Sequence, residues 1–212
     1  MKQVVILIHG YNVSNPGKTV GKLRDPFEKL GCIVENHTYG YLPLPIQITR
    51  RNPRIAKKVA GRCKYWKGKG YEVSLAVHSN GAAIARIARE VHSAPIDRIL
   101  AIHPALRTTL TPAQGAKRTI VVFNGGDTAV VAGGWLGKIS KWIMPKSWDT
   151  RPWGKMGQTG YNGTAGNVRN INTGEIALEE KRCWGHSDEF EKGKYEYWLP
   201  VLAYDLINGR NK

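Results

Sequence analysis

The segment Val77-His78-Ser79-Asn80-Gly81-Ala82 follows an apolar run and opens a helix-patterned stretch. A serine at such a strand–turn–helix corner is lifted clear of a sheet, where its hydroxyl can attack a carbonyl carbon. The helix that follows aims backbone N–H groups and its positive end at the same spot, which suits an oxyanion. The corner is crowded, so small residues are expected after the serine, and Gly81 and Ala82 supply them. Val77, two positions before the serine, is larger than the usual occupant. The plainer alternative is a serine that caps a structural helix.

Three more motifs end apolar runs or lie in a late loop. His9-Gly10-Tyr11-Asn12 closes the first run. Gly10 lets the backbone approach a reacting centre, and the N–H of Tyr11 would join that of Asn80 in holding developing negative charge. His9 suits a hydrogen bond that holds this loop better than it suits proton transfer. Asn124-Gly125-Gly126-Asp127-Thr128 places an aspartate where it can reach back to orient an imidazole; a turn aspartate is the alternative. Trp184-Gly185-His186-Ser187-Asp188-Glu189-Phe190 places a histidine after glycine, able to swing its ring toward the serine; a helix-capping or surface histidine is the alternative. The other histidines are less well placed. His37 follows the second strand, His92 ends a helix, His103 sits beside Pro104 after the fourth strand, and His78 adjoins the serine and points the wrong way for a base.

These groups need a scaffold, and the hydropathy pattern supplies one. Val4–Ile8 is a continuous apolar run, as expected for a strand covered on both faces. Further strands are expected at Cys32–Tyr39, Tyr71–Val77, Arg98–Ile102, Arg118–Phe123 and Asn167–Asn172. Helices are expected around Lys18–Leu30 with a break at Pro26, over Pro53–Trp66, over Asn80–His92 and over Phe190–Ile207, the last weakened by Gly193 and Pro200. Strands alternating with helices predict about six mostly parallel strands with helices on both faces, an α/β architecture. In such sheets functional groups gather at the carboxyl ends of the strands, where all four motifs fall.

The 212 residues fit one domain spanning 1–212, with a Gly- and Trp-rich insertion at about 131–163. That insertion holds Trp135, Trp142, Trp148 and Trp153 and follows closely on Asp127, so it is expected to act as a lid over the site. Hydrophobic residues at 42% and charged residues at 23% exclude a disordered, collagen-like or coiled-coil chain. No apolar run spans a bilayer, and the N-terminus lacks the pattern of a signal peptide, so the expected location is the cytoplasm. Cys32, Cys63 and Cys183 form no metal- or redox-type pair. The net charge of +16 favours polyanions, whether an anionic polymer or a membrane surface. Arg50 to Lys69 alone carries nine basic residues and no acidic one. No basic-aromatic repeat or nucleic-acid reading element accompanies this charge, so nucleic acid is not the expected partner.

The order Ser79, Asp127, His186 is the chain order of the α/β-hydrolase superfamily, and from Val4 to about Leu206 the sequence resembles a small member of it. The run Trp153-Gly154-Lys155-Met156-Gly157, with Gly160-Tyr161-Asn162-Gly163, is similar to stretches of small bacteriophage and bacterial hydrolases. The resemblance implies a nucleophile at Ser79, a base at His186, its partner at Asp127, and oxyanion donors at Tyr11 and Asn80. His9, Gly10 and Gly81 would support the site loops. It implies ester hydrolysis of a small-molecule or lipid-like substrate through an acyl-enzyme, a route that requires neither metal nor cofactor. Amide or thioester cleavage, hydrolysis of a cell-envelope ester, and non-catalytic polyanion binding on the same scaffold are the alternatives.

Overall fold

The computed structural model describes residues 2–10, 16–40, 45–129, 153–175 and 185–209. All six expected strands form: β1 (Gln3–Ile8), β2 (Ile33–His37), β3 (Glu72–His78), β4 (Arg98–Ile102), β5 (Arg118–Phe123) and β6 (Val168–Asn172). They pair in parallel in the order β2-β1-β3-β4-β5-β6. The order reverses at β1, so the crevice beyond the carboxyl ends of β1 and β3 is the switch point where α/β sheets place their ligands. His9 and Gly10 leave β1 there, and Ser79 leaves β3.

The helices differ more from expectation. Two 3-10 turns, Pro16–Lys18 and Val20–Leu23, precede a short helix α1 (Arg24–Lys29). Pro26 lies in the first turn of α1, where its missing N–H has no intrahelical partner to lose. Helix α2 runs Pro45–Gly68, beginning well before the expected Pro53. Pro45 suits the first turn, while Pro53 sits inside and removes one rung of the ladder. Helix α3 (Gly81–His92) is as expected, and Ser93 ends it in the left-handed conformation. A one-turn helix α4 (Met156–Thr159) precedes β6. The closing element splits into a 3-10 turn at Asp188–Phe190 and α5 (Tyr195–Asn208), with Gly193, at φ +85°, between them.

Alternation along each strand sends side chains to two cores. Val4, Ile6 and Ile8 of β1 and Val73, Leu75 and Val77 of β3 pack under α2 and α3. Val5 and Leu7 of β1, with Leu100 and Ile102 of β4, pack under α1 and α5, against Phe27, Leu199 and Leu202. Each such large side chain, fully buried, contributes about 1.5–3 kcal/mol relative to exposure. The amino ends of the strands are tied by ion pairs: Glu72 accepts from Arg98 and Lys117, and Asp97 from Lys67. Helix α2 buries Ile55, Ala56, Val59 and Cys63 and turns its basic residues outward. Arg62 grips Glu35 of β2 in a two-pronged pair at 2.7 Å. Among the described residues no helix is long and apolar enough to cross a membrane.

Candidate active site

Ser79 adopts φ +52°, a left-handed conformation that costs a non-glycine residue on the order of 1–3 kcal/mol. The surroundings hold it there. Its N–H donates to Ile102 O at 3.0 Å, and its carbonyl accepts from the N–H groups of Ala82 and Ala105 at 3.1 and 3.2 Å. The expected need for small neighbours has a geometric cause. A Cβ on Gly81 would lie 2.6 Å from Ile8 O, and one on Gly10 would lie 2.9 Å from Ser79 Cβ. Val77 does not obstruct the turn, because its side chain is buried in the core beneath α2 and α3.

Asp127, fully buried at the end of β5, accepts from His186 Nδ1 at 2.9 and 3.0 Å through its two carboxylate oxygens. The structure thus brings together two of the residues singled out in the sequence, 59 positions apart. His78, next to Ser79, holds the loop of His186. Its Nε2 lies 2.9 Å from the His186 carbonyl, and its ring centroid is 4.7 Å from that of His186. Burial, helped by the nearby His186, pushes His78 well below its ordinary pKa, so it is the neutral ring that donates this bond.

Sequence reasoning set His103 aside, and here the structure differs. His103, wholly buried at φ +46°, places Nδ1 2.9 Å from Asp127 Oδ2 and Nε2 2.6 Å from Glu189 Oε1. Glu189, also wholly buried, accepts in turn from Thr173 Oγ1 at 2.8 Å. Burial alone would lower the His103 pKa, but the Glu189 charge and hydrogen bonds to Asp127 and Glu189 outweigh it and hold it at about 9. Burial would likewise raise Asp127; hydrogen bonds from His103 and His186 reverse this and hold it far below the carboxylate range. The available signals were the position of His103 at a strand's carboxyl end and of Glu189 three residues after His186. Neither signal says that the two side chains meet across 86 residues.

His103, Asp127 and His186 set three potential ligand atoms within 4.8 Å of one another, the spacing of a metal site. A ring that donates from both nitrogens to carboxylates has no lone pair for a metal. With its two bonds in place, His103 makes this trio an ion cluster rather than a ligand set.

His9 is buried and stacks on Tyr39 with centroids 3.9 Å apart. Its Nδ1 lies 2.8 Å from Gly10 O, Tyr39 N–H points at its Nε2 at 3.4 Å, and Tyr39 Oη reaches His9 O and Gly10 O, each at 2.8 Å. These bonds fix the loop after β1. Asn80, the residue before α3, exchanges side-chain hydrogen bonds with Asn52 of α2 at 2.8 and 3.1 Å, and Trp153 Nε1 donates to its Oδ1 at 3.3 Å. The side chain is thereby occupied, while its N–H precedes a helix whose first N–H groups lack intrahelical partners. Tyr11 lies outside the described residues, as do Trp135, Trp142, Trp148 and the rest of 131–152.

The end of the insertion, 153–163, is bound to the loop that follows β4. Met156 and Gly157 N–H groups donate to Leu106 O and Pro104 O at 2.9 Å. Gly154 and Gly157 serve close approach of backbones. A Cβ on Gly154 would lie 2.6 Å from Arg107 Cα, and one on Gly157 would lie 2.8 Å from Asp127 Oδ2.

A parallel sheet in this order, with a strained serine after β3, an aspartate after β5 and a histidine after β6, is the α/β-hydrolase fold. Solved structures share it over nearly the whole chain. An extracellular α/β-hydrolase from a Paenibacillus species matches with TM-score 0.55 and 14% identity, covering 96% of this chain and 98% of that one. Dienelactone hydrolase from Anabaena variabilis matches with TM-score 0.55 and 13% identity, covering 100% and 88%. Est1E from Butyrivibrio proteoclasticus, with ferulic acid bound, matches with TM-score 0.54 and 12% identity, covering 95% and 86%. No protein-family model matches the chain, and no curated protein matches it by sequence.

Proposed function

We propose that the protein is a serine hydrolase that cleaves a carboxylic ester through an acyl-enzyme. The observation that carries this reading is the left-handed Ser79 at the β3–α3 turn, whose chain neighbour His78 bonds the loop of a His186 ring with Nδ1 engaged by buried Asp127. Backbone strain held by its surroundings at the switch point of the sheet is a pattern that supports a functional role for this serine.

The chemistry follows from the tautomer. With Nδ1–H given to Asp127, His186 presents Nε2 as the proton acceptor for the Ser79 hydroxyl as Oγ attacks the ester carbonyl. Asp127 stabilises the imidazolium that forms. The oxyanion is received by the N–H of Asn80, at the start of α3, and by that of Tyr11, each worth about 3 kcal/mol in the transition state. His186 then protonates the leaving alcohol. Water repeats the attack on the acyl-enzyme and frees Ser79. His9, Gly10 and Gly81 keep the two loops at contact distance.

The substrate class is a small-molecule or lipid-like ester. The ferulic acid in the Est1E structure makes aromatic esters a sensible first panel beside simple acyl esters. The segment 131–163 is proposed as the cover of the site. It follows soon after Asp127 in the sequence, and Trp153 within it bonds Asn80, the residue after the proposed nucleophile. Hydrolysis of p-nitrophenyl esters of rising chain length tests the reading. Turnover by the wild type that disappears in Ser79→Ala supports it, and equal turnover by both proteins refutes it.

A further inference from the structure

We propose that His103 and Glu189 are a positioning pair that fixes the Asp127 carboxylate toward His186 from behind. This inference rests on the serine-hydrolase reading above.

Three observations carry it. The chain Thr173–Glu189–His103–Asp127–His186 is continuous, with successive bonds of 2.8, 2.6, 2.9 and 2.9 Å. His103, Asp127, Glu189 and Thr173 are all wholly buried, so no solvent screens the charges or substitutes for a lost partner. The His103 backbone is held in the left-handed region at φ +46°, with its N–H on Val122 O at 2.9 Å, so the ring's direction is built into the end of β4.

Asp127 receives His186 on both oxygens and His103 on Oδ2, which leaves its carboxylate little freedom to rotate. A single imidazolium beside Asp127 would neutralise the charge needed to stabilise a second one at His186. Glu189 compensates that cation. Two carboxylates and the His103 cation leave one net negative charge, which is the charge a protonated His186 requires. Titratable groups around Asp127 among the described residues include His78 from the end of β3, His103 from that of β4 and His186 from the loop before α5, while Glu189 faces His103 from the far side. His78, held neutral, does not alter this balance.

The test is His103→Gln, assayed on the best p-nitrophenyl ester and by 1H–15N spectra of histidine-labelled protein. A positioning role predicts kcat lower by about ten- to a hundredfold, as expected of a slightly misplaced group, with KM unchanged within about twofold. It also predicts that the downfield His186 Nδ1–H resonance shifts or broadens. His103→Gln alone leaves two buried carboxylates facing each other. If that variant does not fold, the double variant His103→Gln with Glu189→Gln removes both charges and must show the same kcat loss and resonance change. A folded variant with wild-type kcat and an unmoved His186 resonance, changed only in melting temperature, overturns the proposal. Wild-type protein that hydrolyses no ester, yet whose His186 resonance depends on His103, refutes the hydrolase reading while upholding the positioning role.

Discussion

The hydroxyl of Ser79 stands at a turn whose shape is set by its neighbours' backbone bonds, so its removal opens no core cavity. Ser79→Ala is expected to lose ester hydrolysis by at least about a thousandfold with melting temperature nearly unmoved, and His186→Ala to be almost as damaging, because such groups act as a unit. The buried cluster behind them gives a pH signature in stability. His103 is held at about 9 in the fold against about 6.5 in the unfolded chain. Its contribution is therefore complete below about pH 6.5 and lost as pH rises through the folded value. Asp127 and Glu189 are held below their unfolded values by the histidines that face them, although burial opposes this. Their contributions are present above about pH 4.5 and lost as pH falls. Thermal melts should show highest stability between these limits and a fall toward pH 9 that is absent from His103→Gln. An alkaline fall of equal size in both proteins contradicts the account.

Elements differ in how much backbone closeness they demand, and two glycines separate the cases. Gly81→Ala forces a Cβ to within 2.6 Å of Ile8 O, and the overpacking should cost about 1–3 kcal/mol in urea unfolding. A Cβ on Gly61, inside α2, meets nothing within 4 Å, so Gly61→Ala should stabilise by about 0.5–1 kcal/mol. Equal effects from the two would show that the elbow is not crowded. The four inner strands were legible in the sequence because buried parallel strands read as short apolar runs such as Val4–Ile8, and β3 and β4 carry the same signal; the edge strands β2 and β6 are only partly buried and carry it more weakly. The start of α2 was not legible, because Pro45 looks like a break and Pro53 like a helix start, when the first opens the helix and the second is carried within it. Ser79, Asp127 and His186 were visible because each ends a strand or precedes a helix. His103 and Glu189 were not, since a buried ion pair between residues distant in sequence leaves no periodic or local pattern.

Across the whole molecule the two ends of the sheet are built for different tasks. At the amino ends, Glu72 and Asp97 are neutralised by Arg98, Lys117 and Lys67 near the surface, where ion pairs tie strands to helices and add modestly to stability. At the carboxyl ends, charged groups are fully buried and linked in a chain that leads to His186. The net charge of +16 lies largely outside this centre, on surfaces such as the outer face of α2, and bears on what the protein approaches rather than on how a bond is broken. The central claim is that Ser79 is the group that attacks a carbonyl. A fluorophosphonate probe reacts with a serine only where a base activates it and an oxyanion site receives the phosphoryl oxygen. Labelling followed by peptide mapping should place one adduct on Ser79, blocked by prior denaturation and absent from His186→Ala. A protein that stays unlabelled under native conditions, or whose adduct maps to a different serine, contradicts the account.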